Sequence, residues 1–107
     1  MKTGLVALLL IAPLSAFQGL PRCTAVDPEM AKAGDTVNLT CESLDKAAFA
    51  GLYLTDGNND TKINIKEQTS VKITFQVPAI KSGRYHIEFL TANKASFVEQ
   101  PVVLTVQ

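Results

Sequence analysis

Residues 71–77 read Val-Lys-Ile-Thr-Phe-Gln-Val, with Val71, Ile73, Phe75 and Val77 falling on one side and Lys72, Thr74 and Gln76 on the other. Side chains alternate across a β-strand with a period of two, so this stretch has one apolar face and one wet face. A helix of the same composition would scatter those residues around its axis. The same alternation recurs on both sides of it. Val37, Leu39 and Cys41 alternate with Thr36, Asn38 and Thr40, and Tyr85, Ile87 and Phe89 alternate with His86, Glu88 and Leu90. Leu52 and Leu54 flank Tyr53, Ile63 and Ile65 flank Asn64, and Val102, Leu104 and Val106 end the chain.

Turn chemistry separates these runs: Asp27-Pro28, Ala33-Gly34-Asp35, residues 56–60 (DGNND), Pro78, Ser82-Gly83 and Asn93-Lys94. Together they predict about seven short strands, near 23–27, 36–42, 51–55, 61–67, 70–77, 84–91 and 97–106. Residues 44–50 alone leave room for a helical turn. One-sided alternation suits two facing sheets, each burying one face, so the fold class expected is an all-β antiparallel sandwich. Phe75, Tyr85, Ile87, Leu54 and Leu39 are the expected centre of its core.

The N-terminal residues read as an export signal. Lys2 is followed by an apolar run at residues 5–14 (LVALLLIAPL), then by Ser15 and Ala16, small residues suited to cleavage after Ala16. A membrane-spanning helix needs about 20 apolar residues, and this run is shorter. The organisation expected is a signal peptide at 1–16, a short linker at 17–22 and one domain at 23–107, in a secreted or periplasmic protein with no stable membrane anchor after cleavage. Removing 16 of the 107 residues leaves 91, enough for one core. Without Lys2, nine Lys and Arg stand against ten Asp and Glu, scattered along the chain, which argues against a nucleic-acid partner.

Two cysteines, Cys23 and Cys41, are the only ones in the chain. In an oxidising compartment they are expected to pair. Their midpoint, residue 32, lies in the connection between the first two strands, so a plain antiparallel register brings them together.

The segments Val26-Asp27-Pro28, residues 34–40 (GDTVNLT) and residues 52–57 (LYLTDG) resemble an IPT/TIG domain. So do residues 73–78 (ITFQVP) and Ser82-Gly83-Arg84-Tyr85. The resemblance spans nearly all of residues 23–107. It implies an immunoglobulin-like sandwich of the kind found in bacterial surface proteins, some carbohydrate enzymes, receptors and transcription factors. Cys41 departs from it, standing where that family often has glycine. Residues 34–41 also resemble the second strand of antibody domains, and Tyr85 their tyrosine corner, its hydroxyl bonded back to nearby backbone. The second antibody cysteine is Ile87 here, and the chain has no tryptophan, which favours the IPT/TIG-like reading.

Chemistry-bearing residues are sparse. Asp56, Asn58, Asp60 and Glu67 match positions 1, 3, 5 and 12 of a calcium loop, but Thr61 stands where that loop needs glycine. A polar turn is the simpler account. His86 is the single histidine, and no nucleophile is placed beside it by a recognisable motif. No phosphate loop, Cys/His metal cluster or carboxylate pair across a cleft is legible, so neither a cofactor nor a catalytic residue is expected. Asn38-Leu39-Thr40 and Asn59-Asp60-Thr61 are formal glycosylation triplets.

The function expected is therefore a non-catalytic binding or scaffolding domain for protein–protein or cell-surface contacts, with a carbohydrate-binding accessory module as the alternative. In an immunoglobulin-like sandwich the third, sixth and seventh strands share a sheet. Its outward face would carry Tyr53, Thr55, Arg84, His86, Glu88, Leu90, Val103 and Thr105. Tyr53, Arg84, His86, Leu90 and Val103 are the candidate partner-binding residues, and a homodimer through them is the simplest version.

Overall fold

The computed structural model describes residues 21–107, so the expected signal peptide lies outside the described residues. Nine strands form two sheets: β1 (Arg22–Asp27), β2 (Met30–Ala31), β3 (Thr36–Glu42), β4 (Phe49–Thr55), β5 (Asp60–Ile63), β6 (Ile65–Gln68), β7 (Lys72–Gln76), β8 (Gly83–Thr91) and β9 (Phe97–Val106). One sheet has the order β1-β3-β7-β6, the other β2-β9-β8-β4-β5. The all-β sandwich expected from the alternation is the fold observed. A 3₁₀ turn at Leu44–Lys46 falls within the stretch that left room for one.

The alternation dictates the core. Val37 and Leu39 from β3 and Ile73 and Phe75 from β7 face Leu52, Leu54, Ile87, Phe89 and Leu104 from the other sheet, all but fully buried. Each of the five residues expected at the core centre is buried. Burying one such side chain contributes about 1.5–3 kcal/mol, the dominant favourable term for a domain of this size.

Two expectations about strand extent need correction. The strand predicted at 61–67 is two strands in different sheets: β5 pairs with β4, and β6 pairs with β7. The chain crosses the sandwich at Asn64, so Ile63 and Ile65 serve different sheets. The strand predicted at 23–27 is likewise followed by a separate two-residue strand, β2, which joins the opposite sheet parallel to β9. Pro28 has no N–H to continue a ladder, and the change of sheet comes immediately after it.

The disulfide links Cys23 and Cys41 across β1 and β3, with Cα atoms 3.8 Å apart. A bulge explains how Cys23 and Val26, an odd number of positions apart, both point inward. The register runs Cys23↔Cys41 and then Ala25↔Thr40, leaving Thr24 without a partner and reversing the parity beyond it. Between β2 and β3, Gly34 takes φ +91°, a left-handed conformation that suits glycine, and the Asp35 carboxylate accepts the Lys32 N–H at 2.9 Å. Tyr85 forms the expected corner, its hydroxyl donating to the Lys81 carbonyl at 2.7 Å.

Candidate functional site

The outer face of the five-stranded sheet follows from register. With Leu52, Leu54, Ile87 and Leu104 turned inward, the rows facing away from the core are Asp60–Thr55–His86–Val103 and Lys62–Tyr53–Glu88–Glu99, followed by the Leu90–Phe97 pair. All five sequence-predicted contact residues lie on this face. Arg84 is exposed, while Tyr53, His86, Leu90 and Val103 are partly exposed.

The structure adds residues that the patch had not included. Phe97 is 43% exposed and meets Tyr53 edge-to-face with ring centroids 5.2 Å apart. Glu99 approaches His86, with Oε2 3.7 Å from Nδ1. The sequence reading missed both; the parity of Val102, Leu104 and Val106, carried back along the last strand, is the signal that would have found Phe97 and Glu99. Nothing in the local sequence placed Asp60 there, because its position depends on how β5 docks on β4.

β8 and β9 lose simple register between His86↔Val103 and Glu88↔Glu99. Two steps along β8 match four along β9, so β9 accommodates two additional residues near Gln100 and Pro101. Gln100 there turns into the sandwich, and its Oε1 accepts the buried Cys23 N–H at 2.7 Å. This bond ties the five-stranded sheet to the disulfide-bearing strand of the other.

Two outward register positions, Thr55 and Glu88, are each only 5% exposed, because neighbouring side chains on the face cover them. Glu88 is the ionisable one of the two. Burial, then hydrogen bonding and charge repulsion from Asp60, then the Glu99 charge, push its carboxyl up to about 7. Its Oε1 is buried and has no hydrogen-bond partner.

At the Arg84 end, a depression of about 440 Å³ is lined by Thr55, Asp56, Gly57, Arg84, His86 and Glu99. Asp56 is committed to the turn: its Oδ1 accepts the Asn59 N–H at 2.7 Å and the Asn58 N–H at 2.8 Å, and these bonds hold its carboxyl below the ordinary value. Gly57, at φ +98°, completes that turn. The calcium-loop residues are not assembled. Asp60 belongs to β5 and Glu67 to β6, in opposite sheets. Among the described residues no three His, Cys, Asp or Glu side chains are grouped to hold a metal ion, and no helix is long and apolar enough to cross a membrane.

No family model and no curated protein matches the sequence. Solved structures match the fold. A structural genomics protein of unknown function from Bacteroides thetaiotaomicron VPI-5482 superposes with a TM-score of 0.66 at 10% identity, over 82% of this chain and 22% of that one. A protein from the same organism described as a "Putative phosphatase" superposes with a TM-score of 0.56 at 12% identity, over 82% of this chain and 18% of that one. At these identities the likeness is one of fold, and the chain spans about a fifth of the length of each of those structures.

Proposed function

We propose that this chain is an immunoglobulin-like, IPT/TIG-type domain of an exported protein that works by binding or scaffolding rather than by catalysis. The observation that carries the reading is the outer face of the five-stranded sheet. It gathers the Tyr53–Phe97 aromatic pair and Arg84, residue types that concentrate binding energy in interfaces, beside the apolar Leu90 and Val103. The strand order, with β1-β3-β7-β6 packed on β2-β9-β8-β4-β5, supports the immunoglobulin-like assignment. The buried disulfide supports export to an oxidising compartment. That a similar fold occupies about a fifth of two longer chains supports a module that acts beside other domains.

The simplest partner is a second copy docked face to face. Sedimentation velocity across a concentration series is expected to show dimerisation that a Tyr53→Ala, Arg84→Ala double variant loses. A monomer at every concentration in both proteins, with equal recovery of cell-envelope proteins by each in a pull-down, would remove this face from consideration. The exposed Phe97 beside Tyr53 also suits a carbohydrate accessory module. Glycan-array signal lost in Tyr53→Ala would favour that role over protein docking.

A further inference from the structure

Glu88 holds a position that an ionised side chain tolerates poorly. Its carboxyl is almost wholly buried, and Oε1 has no hydrogen-bond donor among the described residues. The groups around it do not compensate. From β5, Lys62 stands in the same row as Glu88, beyond Tyr53, and Asp60, in the adjacent row opposite Thr55, lies within side-chain hydrogen-bonding reach. From β4, Tyr53 is the cross-strand neighbour. From β9, Glu99 is the neighbour on the other side. Along β8, Arg84 and His86 share the face, and His86 approaches Glu99. Among the described residues the His86–Glu99 contact is the one salt bridge, so no cation is paired with Glu88 or Asp60.

Two ionised carboxylates are acceptors only and repel each other. With one proton between them, one becomes a donor and the contact becomes a charge-assisted hydrogen bond. We propose that Glu88 and Asp60 share a proton in the folded protein on the acid side of neutrality, forming a pH-sensitive device at the centre of the outer sheet face. One proton is taken up from solvent per pair, so the pair carries one negative charge instead of two. On the alkaline side that proton returns to solvent, and a second negative charge appears beside Glu99. The device rests on the chain's own groups and does not depend on any binding role.

The upward shift of Glu88 agrees with this geometry. Its folded value, about 7, lies above the ordinary 4.5, so the folded state holds the proton more tightly than the unfolded chain does. The associated stabilisation is complete below about 4.5 and is lost as pH rises through about 7.

Urea unfolding of the native protein, Glu88→Gln, Asp60→Asn and His86→Asn between pH 5 and 8.5 tests the pair. Glutamine keeps the shape and a donor to Asp60 but cannot ionise. Relative to Glu88→Gln, the native folding constant should fall roughly 70-fold across that range. Asp60→Asn should move this fall to lower pH. His86→Asn, which removes the one histidine and its contact with Glu99, is the control, and the fall should persist in it. Parallel profiles for native protein and Glu88→Gln, or disappearance of the fall in His86→Asn, would overturn the proposal. If Glu88→Gln does not fold, the carboxyl carbon shift of Glu88 in the native protein and in Asp60→Asn decides the matter. A midpoint near 7 that falls in Asp60→Asn supports the shared proton. A midpoint near 4.5, or one that Asp60→Asn leaves in place, refutes it.

Discussion

Replacing both cysteines, Cys23→Ala with Cys41→Ala, removes a crosslink whose contribution follows from the structure. The bond joins residues 18 apart in sequence, on directly paired positions of β1 and β3. In the chain-entropy description, closing a loop of that size restricts the unfolded chain by about 3 kcal/mol. Both residues are also buried, so trimming them to alanine adds a packing loss of roughly 1 kcal/mol. A domain this small is stable by about 5–13 kcal/mol, so the double variant forfeits a large share of the total. With a urea dependence of about 1 kcal/mol per molar, the unfolding midpoint should fall by about 3–4 M. Three samples separate the two contributions: oxidised native protein, reduced native protein and the double-alanine variant. Most of the fall should appear between oxidised and reduced native protein, and only the packing part between reduced protein and the variant. A midpoint for reduced native protein within 0.5 M of the oxidised form, in roughly the units of that slope, would refute the loop argument. Two reactive thiols in the denatured, unreduced protein would refute the bond itself.

Two further perturbations probe the sandwich. Phe75→Ala, at a fully buried position of β7, should cost about 3–5 kcal/mol, against at most about 0.5 kcal/mol for the exposed Lys72→Ala beside it; matching urea midpoints would contradict the assigned strand faces. Gln100→Leu leaves the buried Cys23 N–H without its acceptor and should cost about 1–3 kcal/mol, with faster amide exchange at Cys23; unchanged exchange there would show that the bond is not needed to protect the amide.

Much of this architecture was legible from local pattern. Alternation in residues 73–77 and 84–90 identified strands and their buried faces, because side-chain direction in a strand is fixed residue by residue. Val71, read on the same apolar face, is 56% exposed, because it precedes β7 and the strand pairing that would turn it inward. The Cys23–Cys41 pair was legible for a related reason, since the turn between the two strands lies near its midpoint, and the Tyr85 corner was legible through the resemblance to antibody domains. Strand membership was not. Residues 61–67 alternate almost without interruption, yet the chain changes sheets at Asn64, and only the choice between β4 and β7 as partner determines that.

The outer face divides the same way. Tyr53, Arg84, His86, Leu90 and Val103 were placed on it by parity, once the immunoglobulin-like resemblance put their three strands in one sheet. Glu88 was read by parity as one more outward residue, whereas the tertiary structure buries it between Tyr53 and Glu99 with Asp60 in reach. Those contacts join residues from four strands. They depend on the docking of β5 and on the irregular register of β9 near Gln100. Alternation along one strand carries no information about which charges stand on the strands beside it. The sequence alone therefore determined most of the strands, the centre of the core and the crosslink, and only the packed sheets decided where the chain changes sheets and where a carboxyl group is buried.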